Sequence, residues 1–100
     1  TQGWAAAFVH QQCYIKHFAW EAAREYPDFD CNFETYDADW GIEVESLSPL
    51  QMIEPNQTLW HTERWEIHSG ISLPTAMPQE AELHQILQHL GLVETDQFCK

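Results

Sequence analysis

Apolar residues in the first quarter of the chain recur at intervals that fit one face of a helix. The positions concerned are Trp4, Phe8, Ile15, Phe18, Ala19, Ala22 and Tyr26. The opposite face would carry His10, Cys13 and His17, bordered by Val9 and Trp20. Proline cannot continue a helix beyond its first turn, so the pattern predicts an N-terminal helix that ends before Pro27.

After Pro27 the apolar period changes to two, which is typical of a strand with one buried face. Alternation runs through Phe29, Cys31, Phe33 and Thr35 on one side and Asp28, Asp30, Asn32 and Glu34 on the other. After the turn-like segment YDADWG, the alternation resumes with Trp40, Ile42 and Val44 against Gly41, Glu43 and Glu45. Two alternating runs joined by a turn predict a β-hairpin with one apolar face and one carboxylate face.

The second half of the chain predicts one further strand and a C-terminal helix. Residues 46–57, which contain two prolines, are expected to form a connection with at most a short edge strand at 50–54. A strand is expected over residues 59–71, although both of its faces mix apolar and polar side chains and the pattern does not define its register. In PQEAELHQILQHLGL, the stripe of Leu83, Ile86, Leu87 and Leu90, with Gly91 behind it, predicts a helix with a glycine C′ residue.

These elements predict one α+β domain over residues 1–100: an N-terminal helix, a three- to four-stranded antiparallel sheet and a C-terminal helix packed on one sheet face. The chain has 4 basic and 16 acidic residues, a formal charge of -12. That charge opposes direct binding to nucleic acids and to anionic membranes, and favours encounter with cationic protein surfaces.

Cysteine usage and the first residues bear on the compartment. Three cysteines without a CxxC pair indicate neither a disulfide framework nor a zinc site, so a reducing cytoplasm is expected, with no cofactor. The opening TQGWAAAFVHQQ lacks the basic segment of a secretory signal.

The stretch DFDCNFETYDADWGIEVE concentrates the negative charge, since residues 28–45 hold seven acidic side chains and no lysine or arginine. The leading hypothesis is a non-enzymatic inhibitor, immunity or anti-defence protein that covers the basic, nucleic-acid-binding surface of a partner by charge mimicry. The predicted contact residues are Asp28, Asp30, Glu34, Asp37, Asp39, Glu43 and Glu45, with Trp40 and Trp20 as apolar anchors. A solvated face that only keeps the protein in solution, or a calcium loop, are the alternatives for this stretch.

Two other functions stay open at this point. An adaptor or chaperone would dimerise through the surface of the N-terminal helix, around Val9, Cys13 and Trp20. A small metal-dependent enzyme would use His61 and Glu63, and His10, Cys13 and His17 are also residue types that bind metals.

Overall fold

The computed structural model describes residues 2–73 and 78–93 and confirms the α+β class. Its strands are β1 (Gln2–Val9), β2 (Gln12–Ala19), β3 (Phe33–Ala38), β4 (Gly41–Ser46) and β5 (Arg64–Ser69), and its helices are α1 (Pro27–Asp30) and α2 (Glu80–His89). One antiparallel sheet has the strand order β1-β2-β5, and a second consists of β3 and β4.

The predicted N-terminal helix is wrong, because residues 2–19 form a β-hairpin. The two residues between β1 and β2, His10 and Gln11, have φ values of 50° and 63°. A type I′ turn requires positive φ at both central positions, and its twist matches that of the flanking strands. Cross-strand pairing of the following aromatic and β-branched residues thus overrides the helix propensity of the alanines at 5–7.

The chain divides into two compact units. The first consists of Thr1–Ala5 with Lys16–Trp65, and the second of Ala6–Ile15 with Glu66–Lys100. The buried residues in the first unit are Lys16, Phe18 and Tyr26. Those in the second unit are Cys13 and Ile15. The single-domain organisation stays a prediction.

In the first unit, aromatic stacking supports the strands. The rings of Phe18 on β2 and Phe33 on β3 lie parallel with their centroids 5.0 Å apart. Trp20 stacks on Tyr26 at 4.6 Å, and the Tyr26 hydroxyl accepts a hydrogen bond from the backbone of Glu21. The Phe18–Phe33 stack packs the second hairpin, β3–β4, against β2, and the Trp20–Tyr26 stack orders the segment between the two hairpins.

The strand predicted from Asp28 begins later, at Phe33. Residues 28, 29 and 30 have φ values of 48°, 63° and 63°, so α1 is a single left-handed turn rather than an extended segment. The backbone N–H of Tyr26 donates to the Asp30 carboxylate over 2.9 Å, which closes the turn. Aspartate tolerates the left-handed region better than most residues. The alternation of acidic and apolar residues at 28–31 therefore belongs to a turn and not to a strand.

The β3–β4 hairpin itself agrees with the sequence prediction. Phe33 pairs with Ser46, Thr35 with Val44 and Ala38 with Gly41 in an antiparallel register, leaving two residues in the turn. Within the described part of the chain no strand lies at 50–54, and β5 covers only the second half of the predicted strand at 59–71.

Helix α2 is confirmed at the predicted place. The Glu82 carboxylate accepts the backbone N–H of Gln79 over 2.9 Å, as in a capping box. At the other end, Gly91 has a φ of 77°, and Leu92 donates to the Leu87 carbonyl at 2.9 Å. This is a Schellman motif, which predictably follows from glycine at C′. Packing of α2 on a sheet face stays a prediction.

Candidate protein-interaction surface

The register of β3 and β4 gathers three glutamates on one face of the hairpin. Glu34 lies opposite Glu45, and Tyr36 lies opposite Glu43. Directly paired residues, and residues two apart on one strand, project to the same side of a sheet. We call Glu34, Glu43 and Glu45 the acidic face. Glu43 and Glu45 are about 6.6 Å apart along the strand, at roughly 3.3 Å per residue.

The other face of the hairpin is the attached one. Phe33 stacks on Phe18, as described, and the ammonium group of Lys16 donates to the Val44 carbonyl oxygen over 2.7 Å. The Asn32 side chain donates to the carbonyl of Ala19 at 3.1 Å, just before β3 begins. On the acidic face, Glu43 and Glu45 are exposed, whereas Glu34 is half-buried and its Oε1 atom is not accessible to solvent.

Basic residues near the hairpin in sequence are engaged elsewhere. Lys16 forms an ion pair with Glu63, with 2.8 Å between Nζ and Oε2, and Arg24 pairs with Glu21 at 3.2 Å. In residues 2–73 and 78–93, no lysine, arginine or histidine forms an ion pair with any of the seven carboxylates of residues 28–45. The negative charge of the hairpin is therefore not neutralised within this part of the chain.

The ionisation of Glu34 reflects this crowding. A hydrogen bond with the Asp28 carboxyl group raises the pKa of Glu34, and desolvation and the negative charges of Asp28 and Glu45 act in the same direction. Two carboxyl groups this close share a proton more readily than they both ionise. The Asp28 hydrogen bond is the largest cause of the raised pKa of Glu34, and the charges of Asp28 and Glu45 make a smaller contribution.

Four of the seven predicted acidic residues lie away from the acidic face. Asp28 is in the left-handed turn and reaches Glu34, whereas Asp30 is committed to the backbone of Tyr26. Asp37 is paired with Ile42 and projects to the opposite side of the hairpin, and Asp39 occupies the turn. The structure thus brings together Glu34, Glu43 and Glu45 on one face, with Asp28 beside Glu34 from the neighbouring turn, but not the complete set.

Of the two predicted apolar anchors, Trp40 and Trp20, only Trp40 is largely exposed to solvent. It sits in the β3–β4 turn with 72% of its surface exposed, whereas Trp20 is half-buried in its stack on Tyr26. The sequence reasoning missed Tyr36, which is exposed and lies on the acidic face opposite Glu43. Its even spacing from Glu34 is the signal that could have identified it.

The surface expected for dimerisation is not present in the form predicted. Val9, Cys13 and Trp20 were assigned to one helix, but they lie on or beyond strands β1 and β2, and Cys13 is completely buried. Burial, and secondarily the charge of Glu66, raise the pKa of the Cys13 thiol, which makes it a weak metal ligand and nucleophile.

The residues considered for metal binding either form contacts with other side chains or are not grouped with one another. His10 is in the β1–β2 turn and His17 lies on β2. His61 and Ser46 are hydrogen-bonded at 2.9 Å between Nε2 and Oγ, and Glu63 binds Lys16. Across residues 2–73 and 78–93, no three histidine, cysteine or acidic side chains are grouped so that they could hold a metal ion.

Glu63 is the centre of a small polar network in the first unit. Burial acts to raise the pKa of Glu63, but hydrogen bonds donated by Lys16, Ser46 and Trp65, together with the Lys16 charge, outweigh it and lower that pKa. Which of His61 and Ser46 donates their shared hydrogen bond depends on the tautomer of the imidazole.

Neither helix in the described ranges has the length and apolar composition that a membrane crossing requires. Comparison with known proteins gives no match to a family model, a curated sequence or a solved structure.

Proposed function

We propose that this protein is a non-enzymatic interaction protein that binds a basic surface of a partner protein through its acidic face. The carrying observation is that Glu34, Glu43 and Glu45 share one side of the hairpin without an ion-pair partner in the described part of the chain. Like charges placed side by side destabilise the free protein. A cationic partner removes that penalty when it binds.

The partner class is a protein whose basic surface ordinarily binds nucleic acid. Carboxylates spaced regularly along a strand offer such a surface a substitute for successive phosphates, and charge complementarity of this kind accelerates encounter. Trp40 and Tyr36 supply the aromatic contacts that interfaces favour. An inhibitor, immunity protein or anti-defence protein would act in this way.

A reducing compartment, the cytoplasm, is part of the proposal. Cys13 and Cys31 are not disulfide-bonded, and a -12 chain that targets nucleic-acid-binding proteins must share their compartment. Direct binding of nucleic acid or of a membrane surface is not part of it, because both would repel this charge.

The test is capture of a partner from a native extract by the immobilised protein at low salt, followed by elution with rising salt. We expect a basic protein that is released at about 500 mM salt, where the Debye length falls to a few ångströms, and that a DNA duplex displaces. The matched variants are E43Q/E45Q on the acidic face and E25Q/E80Q on exposed positions outside the hairpin and the segment between β4 and β5. Equal loss of binding in both variants would show that net charge alone is responsible.

A further inference from the structure

The hydrogen bonding of the β3–β4 hairpin determines which backbone groups point to its two outer edges. Along an antiparallel hairpin, hydrogen-bonded pairs alternate with pairs whose N–H and C=O groups point away from each other. Leu47 donates its backbone N–H to the Asn32 carbonyl over 2.9 Å, so these two residues form a hydrogen-bonded pair. Counted from there along the register, Thr35 and Val44 form a pair of the outward type.

The outer edge of β4 is occupied in part. The ammonium group of Lys16 donates to the Val44 carbonyl over 2.7 Å, which agrees with an outward direction for that carbonyl. Lys16 is buried and paired with Glu63, so this contact belongs to the folded unit. The edge of β4 is therefore not free along its length.

The outer edge of β3 is open at Thr35 and Asp37, which have the same outward direction because they are two residues apart. Both residues are exposed, and within the part of the chain that the structure describes no hydrogen bond reaches their outward backbone groups. We call these two positions the free edge. Proteins commonly protect such an edge with lysine, proline or a bulge. The sequence FETYDA of β3 contains no lysine or proline, and its register with β4 is continuous, so the free edge can accept another strand.

Charge selects the strand that can be added there. A residue placed opposite Glu34 would project on the acidic face, where Glu34 already has Glu45 on its other side. Asp37 adds a negative charge on the opposite side of β3. Opposite charges stabilise a cross-strand pair and like charges destabilise it. The geometry thus favours a strand with cationic side chains, whereas a second copy of this chain, with its charge of -12, would be repelled.

From this arrangement we infer that the free edge of β3 pairs with an extended segment of the partner protein, in which lysine or arginine at alternate positions lies over the acidic face. The inference rests on the proposed function and names the structural element that the partner presents. Main-chain hydrogen bonds to Thr35 and Asp37 supply affinity, and the glutamates of the acidic face select the cationic side chains.

Amide hydrogen exchange, followed by NMR on the full-length chain, tests the pairing directly. The probe is a synthetic peptide that alternates threonine with lysine over the length of β3, and the control peptide has the same composition with its lysines grouped at one end. We expect exchange at the Thr35 and Asp37 amides to slow about tenfold when the alternating peptide is present at ten times its Kd. The Ile42 amide, which points to the outer edge of β4, should exchange at an unchanged rate.

Three results of this experiment would overturn the inference. They are unchanged exchange at Thr35 and Asp37 with the alternating peptide at millimolar concentration, equal slowing by the two peptides, and slowing in the free chain as its own concentration rises. The last result would mean that copies of this chain pair with each other at this edge.

Substitution separates the inference from the function on which it rests. T35P removes an outward N–H without removing a hairpin hydrogen bond, and I42P makes the same change on β4, so circular dichroism should show both variants folded. We expect T35P to weaken binding of the alternating peptide, and of the basic protein recovered from the extract, about tenfold, and I42P to leave both unchanged. Should T35P fail to fold, the exchange experiment decides, because it uses the unsubstituted chain.

The two proposals then fail in different ways. If E43Q/E45Q weakens binding of the recovered protein and T35P does not, the strand-pairing inference fails and the proposed function stands. If T35P weakens it and E43Q/E45Q does not, binding does not depend on the acidic face, and the proposed function fails.

Discussion

Lys16 is the residue that joins β2, the β3–β4 hairpin and the segment leading into β5. It is only 7% exposed, and its ammonium group lies between the Glu63 carboxylate, the Val44 carbonyl and the face of the Trp65 ring, 5.7 Å from the ring centroid. A buried ammonium is tolerated only when its charge is paired and its hydrogen bonds are made. Glu63 supplies the pairing charge.

The Glu63→Gln substitution should reduce the free energy of unfolding by about 2 kcal/mol at neutral pH, because Lys16 is left without its counter-charge. Fully buried pairs lose roughly 3–5 kcal/mol when one partner is removed, but Glu63 is 21% exposed and water compensates in part. Urea denaturation measures this, with E54Q on the exposed loop as control. Equal stability of E63Q and E54Q would contradict the assigned role of the ion pair.

The Lys16–Glu63 ion pair should also make stability depend on pH in acid. Because the pKa of Glu63 is lowered in the folded protein, its stabilisation is full above the ordinary glutamate pKa and is lost as the pH falls through the lower folded value. Wild type should therefore lose its advantage over E63Q on acidification below about pH 4.5. A stability difference that stays constant down to pH 2 would argue against this linkage.

The contribution of Glu34 to stability should depend on pH in the opposite direction. Its pKa is raised, so the folded state holds the proton more tightly, and the stabilisation is full below the ordinary pKa and disappears as the pH rises through the folded value. Glu34→Gln, which stays neutral, should match wild type in acid and be more stable than wild type at pH 7. Thermal denaturation at the two pH values measures this. A variant less stable than wild type at pH 7 would mean that the acidic face carries no repulsion.

At the scale of elements, the β1–β2 turn distinguishes the hairpin from the helix that the sequence predicts. His10 and Gln11 hold positive φ without being glycine or asparagine, which costs roughly 1 kcal/mol per residue. H10N/Q11G should raise the free energy of unfolding by about 1 kcal/mol, since Asn-Gly favours type I′ turns. In a helix the same glycine would lower stability by about 1 kcal/mol, so the sign of the change in denaturation midpoint decides between them.

The elements differ in how far their sequences determine them. The capping residues and Gly91 of α2 act locally, and so do the alternation and turn of the β3–β4 hairpin, which explains why both could be predicted. The first hairpin could not, because alanines at 5–7 favour a helix and the spacing of Trp4, Phe8 and Ile15 fits one too. Only pairing with a distant strand, β5, separates the alternatives, and single-sequence periodicity does not contain that information.

The candidate site, like the fold, could be predicted only in part. The register of the hairpin follows from alternation, so Glu43 and Glu45 could be placed on one face beforehand. The positions of Asp28 and Asp30 could not be predicted. Acidic and apolar residues alternate at 28–31 as they would in a strand, but the backbone there forms a left-handed turn. Residues 46–57 were expected to form a connection with at most a short edge strand, and residues 59–71 a strand, since nothing local indicates that Met52, Leu59 and Trp60 lie exposed outside regular structure.

At the scale of the whole molecule, the net charge favours one kind of partner. A charge of -12 makes copies of the chain repel one another, which opposes self-association through its exposed tryptophans. The same charge leaves a cationic protein as the favoured binder. Affinity should then fall with salt in proportion to the number of charge contacts formed.

The most direct test of the central claim is the slope of log Kd against log salt concentration, for the basic protein recovered from the extract. We expect E43Q/E45Q to flatten that slope and weaken binding about tenfold at low salt, and E25Q/E80Q, with the same net charge, to leave both nearly unchanged. A wild-type affinity independent of salt, or equal losses in the two variants, would contradict binding through the acidic face.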